Sequence, residues 1–169
     1  MAFQEISIDS LEFNPFHKIS KEWMLVTAGD EKKSNTMTAS WGGLGIMWGK
    51  NIATVYIRPQ RYTKEFIDAG EKLSLSFFDE SARKMLTYMG RVSGRDEDKI
   101  AASGLHVEMV NSAPVFKESR MVMVCRKLYA QPMEEACFID KALIDANYKE
   151  KDFHTMYVVE IEKILVQDR

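Results

Sequence analysis

Five stretches of this chain are built for extended backbone and only two patterns of helical period interrupt them, an imbalance that constrains the fold more than any other feature of the sequence. Residues 23–29 (WMLVTAG), 52–58 (IATVYIR), 72–78 (KLSLSFF), 121–130 (MVMVCRKLYA) and 154–166 (HTMYVVEIEKILV) are rich in Val, Ile, Tyr and Phe. Branched and flat side chains of this kind suit a pleated surface. In the last stretch Tyr157, Val159, Ile161 and Leu165 share one face and Glu160 and Glu162 the other, the period-two pattern of a half-buried antiparallel strand, with Lys163 an exception on the apolar face. Ala82, Met85, Leu86 and Met89 recur at helical spacing, with Asp79 or Ser81 able to cap the start and Gly90 the end. Residues 62–70 (YTKEFIDAG) give the second helix. Helices that do not alternate with strands do not suit a doubly wound parallel sheet. The expected class is mainly β with peripheral helices, an antiparallel barrel closed or partly closed.

The chain has 169 residues, 46% of them hydrophobic, enough for one core but short for two, so a single domain over 1–169 is expected. A net charge of -2 without a long basic run gives no footprint for nucleic acid or an anionic membrane surface. No apolar run approaches the length that spans a bilayer, and the first residues (MAFQEISIDSLEF) do not read as a secretion signal, so the expected location is cytoplasmic. Cys125 and Cys137 are not spaced as a CxxC pair, and His17, His106 and His154 are scattered, so neither a disulfide framework nor a metal site is expected.

Three stretches invite chemistry. Residues 35–45 (NTMTASWGGLG) fail as a dinucleotide fingerprint, because after Gly43 and Gly45 the third glycine position is held by Trp48. In an extended chain Thr36, Thr38 and Ser40 point to one side and Asn35, Met37, Ala39 and Trp41 to the other. That is either a solvated hydroxyl face or a ligand edge whose hydroxyls, amide and glycines let a flat polar ring approach. Residues 58–67 (RPQRYTKEFI) run from a strand end through two arginines to a hydroxyl entering a helix. They form either an ordinary helix start or, with Arg58, Arg61, Tyr62 and Thr63, a phosphate site at the positive end of a helix. Residues 93–106 (SGRDEDKIAASGLH) read as a charged loop leading into a short helix, or bring Lys99 to the pyrimidine edge of a flavin. His154 is either a polar strand end or a ligand contact.

Taken in order and spacing, WMLVTAG, NTMTASWGG, RPQRYTKEFI, LSFFDE, SGRDEDK and HTMYVVEI resemble the flavin reductase-like family of FMN-binding split β-barrels, and within it the flavoredoxin branch, from about Asn14 to Val166. The resemblance implies a Greek-key split β-barrel working as a homodimer with one FMN per subunit near the dimer interface. By the same resemblance Asn35, Thr36, Thr38, Ser40 and Trp41 fall on the flavin-binding strand, Arg58, Arg61, Tyr62 and Thr63 on the phosphate-binding turn, and Lys99 on a loop reaching the cofactor. His154 matches a histidine near the place where nicotinamide would stack, and Val159 stands where the family often has Gly. The implied activity is transfer of electrons from NADH or NADPH to FMN and on to a second acceptor. Its rival is a non-catalytic electron carrier served by a redox partner protein. A pyridoxamine phosphate oxidase-like enzyme ranks last, its phosphate-site pattern being different.

Overall fold

The structure, a computed structural model, describes residues 2–167. Its strands are β1 (Gln4–Ile6), β2 (Met24–Gly29), β3 (Ser34–Ala39), β4 (Gly42–Met47), β5 (Lys50–Ile57), β6 (Lys72–Phe77), β7 (Val107–Val110), β8 (Ala113–Phe116), β9 (Met121–Pro132) and β10 (Thr155–Val166). The helices are α1 (Pro15–His17), α2 (Tyr62–Ala69), α3 (Arg83–Arg91), α4 (Lys99–Ser103) and α5 (Ala142–Asn147). All five expected strands and both expected helices are present. No helix among the described residues is long and apolar enough to cross a membrane.

Eight strands make one antiparallel sheet in the order β3-β2-β6-β9-β10-β5-β4, with β1 added along the end of β10, while β7 and β8 form a separate hairpin. The sheet curls but does not close. β3 is bonded only to β2 and β4 only to β5, although just Ser40 and Trp41 separate the two strands in the chain. An open seam therefore lies where the chain crosses from one end of the sheet to the other.

The sheet is covered on both sides along β2 and β6, so β2 lacks a polar face and the Ser74 and Ser76 that alternate with Leu73, Leu75 and Phe77 in β6 are buried as well. Met24, Val26 and Ala28 face the interior with Met37, Val55, Leu75, Phe77, Met123 and Tyr157. Leu25 faces outward and packs with Phe78, Leu86, Met89 and Phe116 under α3. A third cluster joins Ala113 and Val115 of β8 to Val122, Val124 and Leu165. Each large side chain taken fully from water here contributes about 1.5–3 kcal/mol. Gly90 does not end α3: the helix runs to Arg91, and a Cβ at Gly90 would lie 3.2 Å from Thr38 Cβ, so the glycine marks the close approach of α3 to β3.

The face assignment along β10 needs correction. Ile161 pairs with Cys125 and Lys163 with Val124, which leaves Glu162 as an extra residue in a β-bulge. The bulge shifts the phase by one. Tyr157, Val159 and Ile161 face the interior before it and Ile164 after it, while Leu165 turns to the third cluster. Lys163 is thus no exception on an apolar face, since it lies half-exposed and bonds Glu5 at 2.7 Å. Val159 is fully buried in the interior cluster and does not line the seam.

The hydroxyls of β3 lie on the outward face with Leu25, in the layer beneath α3. Thr36 Oγ1 donates to the Val26 carbonyl at 3.2 Å and, with its own proton so used, accepts from Thr27 Oγ1 at 2.8 Å, both residues being fully buried. Thr36→Val should therefore strand the Thr27 hydroxyl and cost about 1–3 kcal/mol, whereas Thr27→Val with Thr36→Val should recover most of that loss. Urea unfolding of the two variants beside the parent protein checks this; equal losses in both would deny the pair.

Candidate functional site

Two connected grooves meet at the seam, and β3 supplies one wall of each. The first, of about 190 Å³, is lined by Met37, the segment 38–41, Tyr56, Arg58, Arg61 and His154. The second, of about 220 Å³, is reached past Met37, Arg58 and Arg61, and continues to Asn35, Thr63, Ser93, Gly94 and Lys99. β3 is an end strand, so the backbone groups along its outer edge have no strand partner and are available to a ligand.

Of the three hydroxyls expected along a ligand edge, Thr38 and Ser40 line the first groove, while those of Thr36 and Thr38 have partners within the fold. Thr36 bonds Thr27 and Val26, and Thr38 Oγ1 donates to the Leu86 carbonyl in α3. The cause is α3, which packs over the face that a sequence-only reading leaves to solvent or ligand. The first groove is lined by Met37, Thr38 and Ala39 from this strand and by Ser40 and Trp41 from the link that follows it. Trp41 is 48% exposed and stands across from His154, ring centroids 5.3 Å apart and planes 47° from parallel.

Asn35 has a structural duty at the boundary of the second groove. Buried, it donates from Nδ2 to Thr63 Oγ1 at 2.8 Å, tying β3 to the first turn of α2. A Cβ at Gly94 would lie 2.0 Å from Asn35 Oδ1, so the loop before α4 closes on Asn35 only because that position is glycine.

The turn at 58–63, where a phosphate site is expected, holds its arginines in different states. Arg61 is the N-terminal cap residue of α2 and no side chain caps the helix; the Lys64 N–H donates to the Arg61 carbonyl at 3.0 Å, and the N–H groups of Tyr62 and Thr63 are left without a partner among the described residues. Arg61 Nη1 donates to the Gly90 carbonyl at 2.7 Å, and no carboxylate among the described residues pairs with it. Burial and the neighbouring Arg58 push its pKa down. Arg58, by contrast, is occupied. It donates to Asp152 at 2.6 Å and to the Asn147 carbonyl at 2.9 Å, with its guanidinium 5.0 Å from the centre of the Tyr148 ring. Tyr62 is flanked by Lys33, whose Nζ lies 2.9 Å from its hydroxyl, and by the Arg95 guanidinium 4.6 Å from its ring.

Lys99 is the second cation of this end. Only 3% exposed, it donates from Nζ to the Met89 and Val92 carbonyls at 2.8 Å each and has no carboxylate partner among the described residues. Burial first, and then the charge of Arg61, lower its pKa to about 8. The C-terminal carbonyls of α3 thus hold both Lys99 and Arg61, the polarity that a helix end favours. Lys99 belongs to the Arg61 end of the site and does not line the groove between Trp41 and His154.

His154 immediately precedes β10 and is 7% exposed. Its Nδ1 lies 2.7 Å from the Tyr148 hydroxyl. Burial, followed by Arg58, lowers its pKa to about 4, so it is neutral at physiological pH. Tyr148 and Asp152 are residues that sequence reasoning missed. They come from the excursion between β9 and β10, where no periodic pattern marks them; the signal that could have found it is its aromatic content, Phe138, Tyr148 and Phe153, whose rings pack together.

The sequence matches the family model described as "Flavin reductase like domain" over residues 16–169. Comparison with curated proteins gave no match. Among solved structures the chain is similar to flavoredoxin from Methanosarcina acetivorans, with a TM-score of 0.70 and 20% identity over 98% of this chain and 76% of that one. It is similar also to flavoredoxin of Desulfovibrio vulgaris (TM-score 0.68, 21% identity, 98% and 78% covered). An FMN-binding domain of a flavin reductases-like enzyme from Shewanella baltica superposes with a TM-score of 0.69 at 14% identity, covering 98% and 77%. At these identities the likeness is one of fold, a Greek-key split barrel. With nearly the whole chain under the family model and the open seam in place, the chain belongs to the flavin reductase-like family.

Proposed function

We propose that the connected grooves bind FMN and that the protein passes electrons from NADH or NADPH through it to a second acceptor. The observation that carries the reading is the pair Arg61 and Lys99: a half-buried and a buried cation without a carboxylate among the described residues, side by side at the uncapped start of α2, with Arg61 also reaching the groove walled by Trp41 and His154. Burying positive charge unpaired is costly, and an anionic group of the size of a phosphate would relieve it. The residues present therefore fit FMN, with the phosphate toward Arg61, Thr63 and Lys99 and the ring toward the segment 38–41. The structural neighbours named as flavoredoxins and as an FMN-binding domain support the same choice.

Bound FMN would supply the redox chemistry, accepting a hydride from the nicotinamide and releasing the electrons to the acceptor. The chain's own part is placement. Arg61, Lys99, the Thr63 hydroxyl and the free N–H groups of α2 anchor the anion. Asn35 holds β3 against α2 so that both ends of the site keep their spacing, and Arg58 fixes the wall behind His154 through Asp152. Trp41 and Tyr56 give the ring an apolar surface, and neutral His154 offers a hydrogen-bonding nitrogen to a nicotinamide.

We place the working protein in the cytoplasm as a homodimer. Ile46 (72% exposed), Met47 and Trp48 (57% exposed) at the tip of the β4–β5 hairpin, with Tyr129 beside Trp48, form an apolar face suited to a second copy. Light scattering should show a dimer, and Ile46→Lys with Trp48→Lys should shift it to monomer; a monomeric parent protein overturns this assignment.

Two further outcomes test the site. Arg61→Ala should weaken FMN roughly ten- to a hundred-fold, since one charge-assisted hydrogen bond contributes about 1.5–3 kcal/mol. Riboflavin, without the phosphate, should lose much less. In the parent protein FMN affinity should fall as pH rises above about 8, because unliganded Lys99 then loses its proton while a bound anion holds it, so binding must take a proton up. Fluorescence titrations of both ligands from pH 7 to 10 decide this, and equal losses for FMN and riboflavin in Arg61→Ala would move the phosphate elsewhere.

For the donor, anaerobic stopped-flow mixing should show NADH or NADPH bleaching the bound flavin, and His154→Ala should slow that bleaching more than it reduces flavin content. A yellow protein that neither nucleotide reduces is an electron carrier, not a reductase.

A further inference from the structure

We infer that Tyr148 is a positioning residue whose hydroxyl donates to His154 Nδ1 and holds the imidazole in the tautomer that presents Nε2–H to the groove beside Trp41. The inference rests on the reading of His154 as the nicotinamide contact, and it adds which atom makes that contact and what sets it.

The geometry gives Tyr148 one good acceptor. Its oxygen lies 2.7 Å from His154 Nδ1 and 3.8 Å from Met133 Sδ. A thioether sulfur is a weak acceptor and an imidazole lone pair a strong one, so the phenolic proton goes to the histidine. Burial raises the pKa of the tyrosine, so the proton is retained at neutral pH. His154 is itself neutral, and a neutral imidazole carries one N–H. With Nδ1 accepting, that N–H is on Nε2, which makes no hydrogen bond among the described residues while the side chain lines the first groove.

The hydroxyl is held in place by packing. The Tyr148 ring lies 4.9 Å from Phe153 and 5.8 Å from Phe138, centroid to centroid, and the Arg58 guanidinium covers it at 5.0 Å. The backbone N–H of Tyr148 donates to the Ile144 carbonyl at 2.8 Å, closing α5. Asp152 in turn keeps Arg58 over the ring and brings a negative charge near His154. The excursion between β9 and β10 therefore serves the groove by fixing one proton. A donor at Nε2 suits a carbonyl oxygen, such as the carboxamide oxygen of a nicotinamide, and disfavours a ligand that presents an N–H there.

Tyr148→Phe keeps the ring and removes the proton. Nitrogen-15 NMR of histidine-labelled FMN-loaded protein should show His154 as the Nε2–H form in the parent and as a mixture or the Nδ1–H form in Tyr148→Phe. In stopped-flow reduction by the better nucleotide, the half-saturating concentration should rise about ten-fold in Tyr148→Phe with the limiting rate and FMN affinity little changed. In a His154→Ala background the same change should have no further effect. A parent protein in the Nδ1–H form, an unaltered tautomer in Tyr148→Phe, or additive effects of the two substitutions overturns the inference. If neither nucleotide reduces the parent protein, the donor reading fails by itself and the tautomer ratio still decides the role of Tyr148.

Discussion

Everything at the site depends on a covalent constraint: Ala39 ends one edge of the sheet, Gly42 begins the other, and only Ser40 and Trp41 join them. Three peptide steps of about 3.8 Å reach no more than about 11 Å. Paired strands lie about 4.8 Å apart and packed sheets about 10 Å. The edges at this point do not bond to each other, and the link keeps them within that reach. A slot of molecular thickness is what remains. Trp41 sits in the link itself, so the residue that bridges the seam also walls the groove.

The second constraint is electrostatic. Lys99 and Arg61 are held by main-chain carbonyls at the end of α3, and after burial it is the charge of Arg61 that weakens the hold of Lys99 on its proton. A fold selected for stability alone would place a carboxylate between them, as it does for Arg58 with Asp152 and for Arg126 with Glu160. If FMN binds as proposed, the open pair meets its phosphate without first displacing an internal partner. Gly94 and Asn35 keep the surrounding backbone close enough for that arrangement to persist.

The strands were legible because their composition and period do not depend on what they pack against, and the turn at 58–63 because helix starts and arginines have local chemistry. The ambiguities came from the third dimension. Thr36 and Thr38 have the alternation of an exposed hydroxyl face, and nothing local in the sequence says that α3 covers it. Lys163 broke the apolar pattern because a bulge changes the phase, and a bulge at Glu162 leaves no mark in composition. Arg58 and Arg61 read alike in sequence and differ only through Asp152, ninety-odd residues away along the chain. Tyr148 was invisible for the same reason, since its role comes from a contact across an irregular loop.

The bulge in β10 also divides the labour of that strand. Residues 155–160 pair with β5, which leads into the anion turn, whereas 164–166 pair with β1 and bind the N-terminal segment to the barrel. One strand thus serves two neighbours in two phases, and the extra residue at Glu162 is what lets both halves keep their apolar side chains toward the interior.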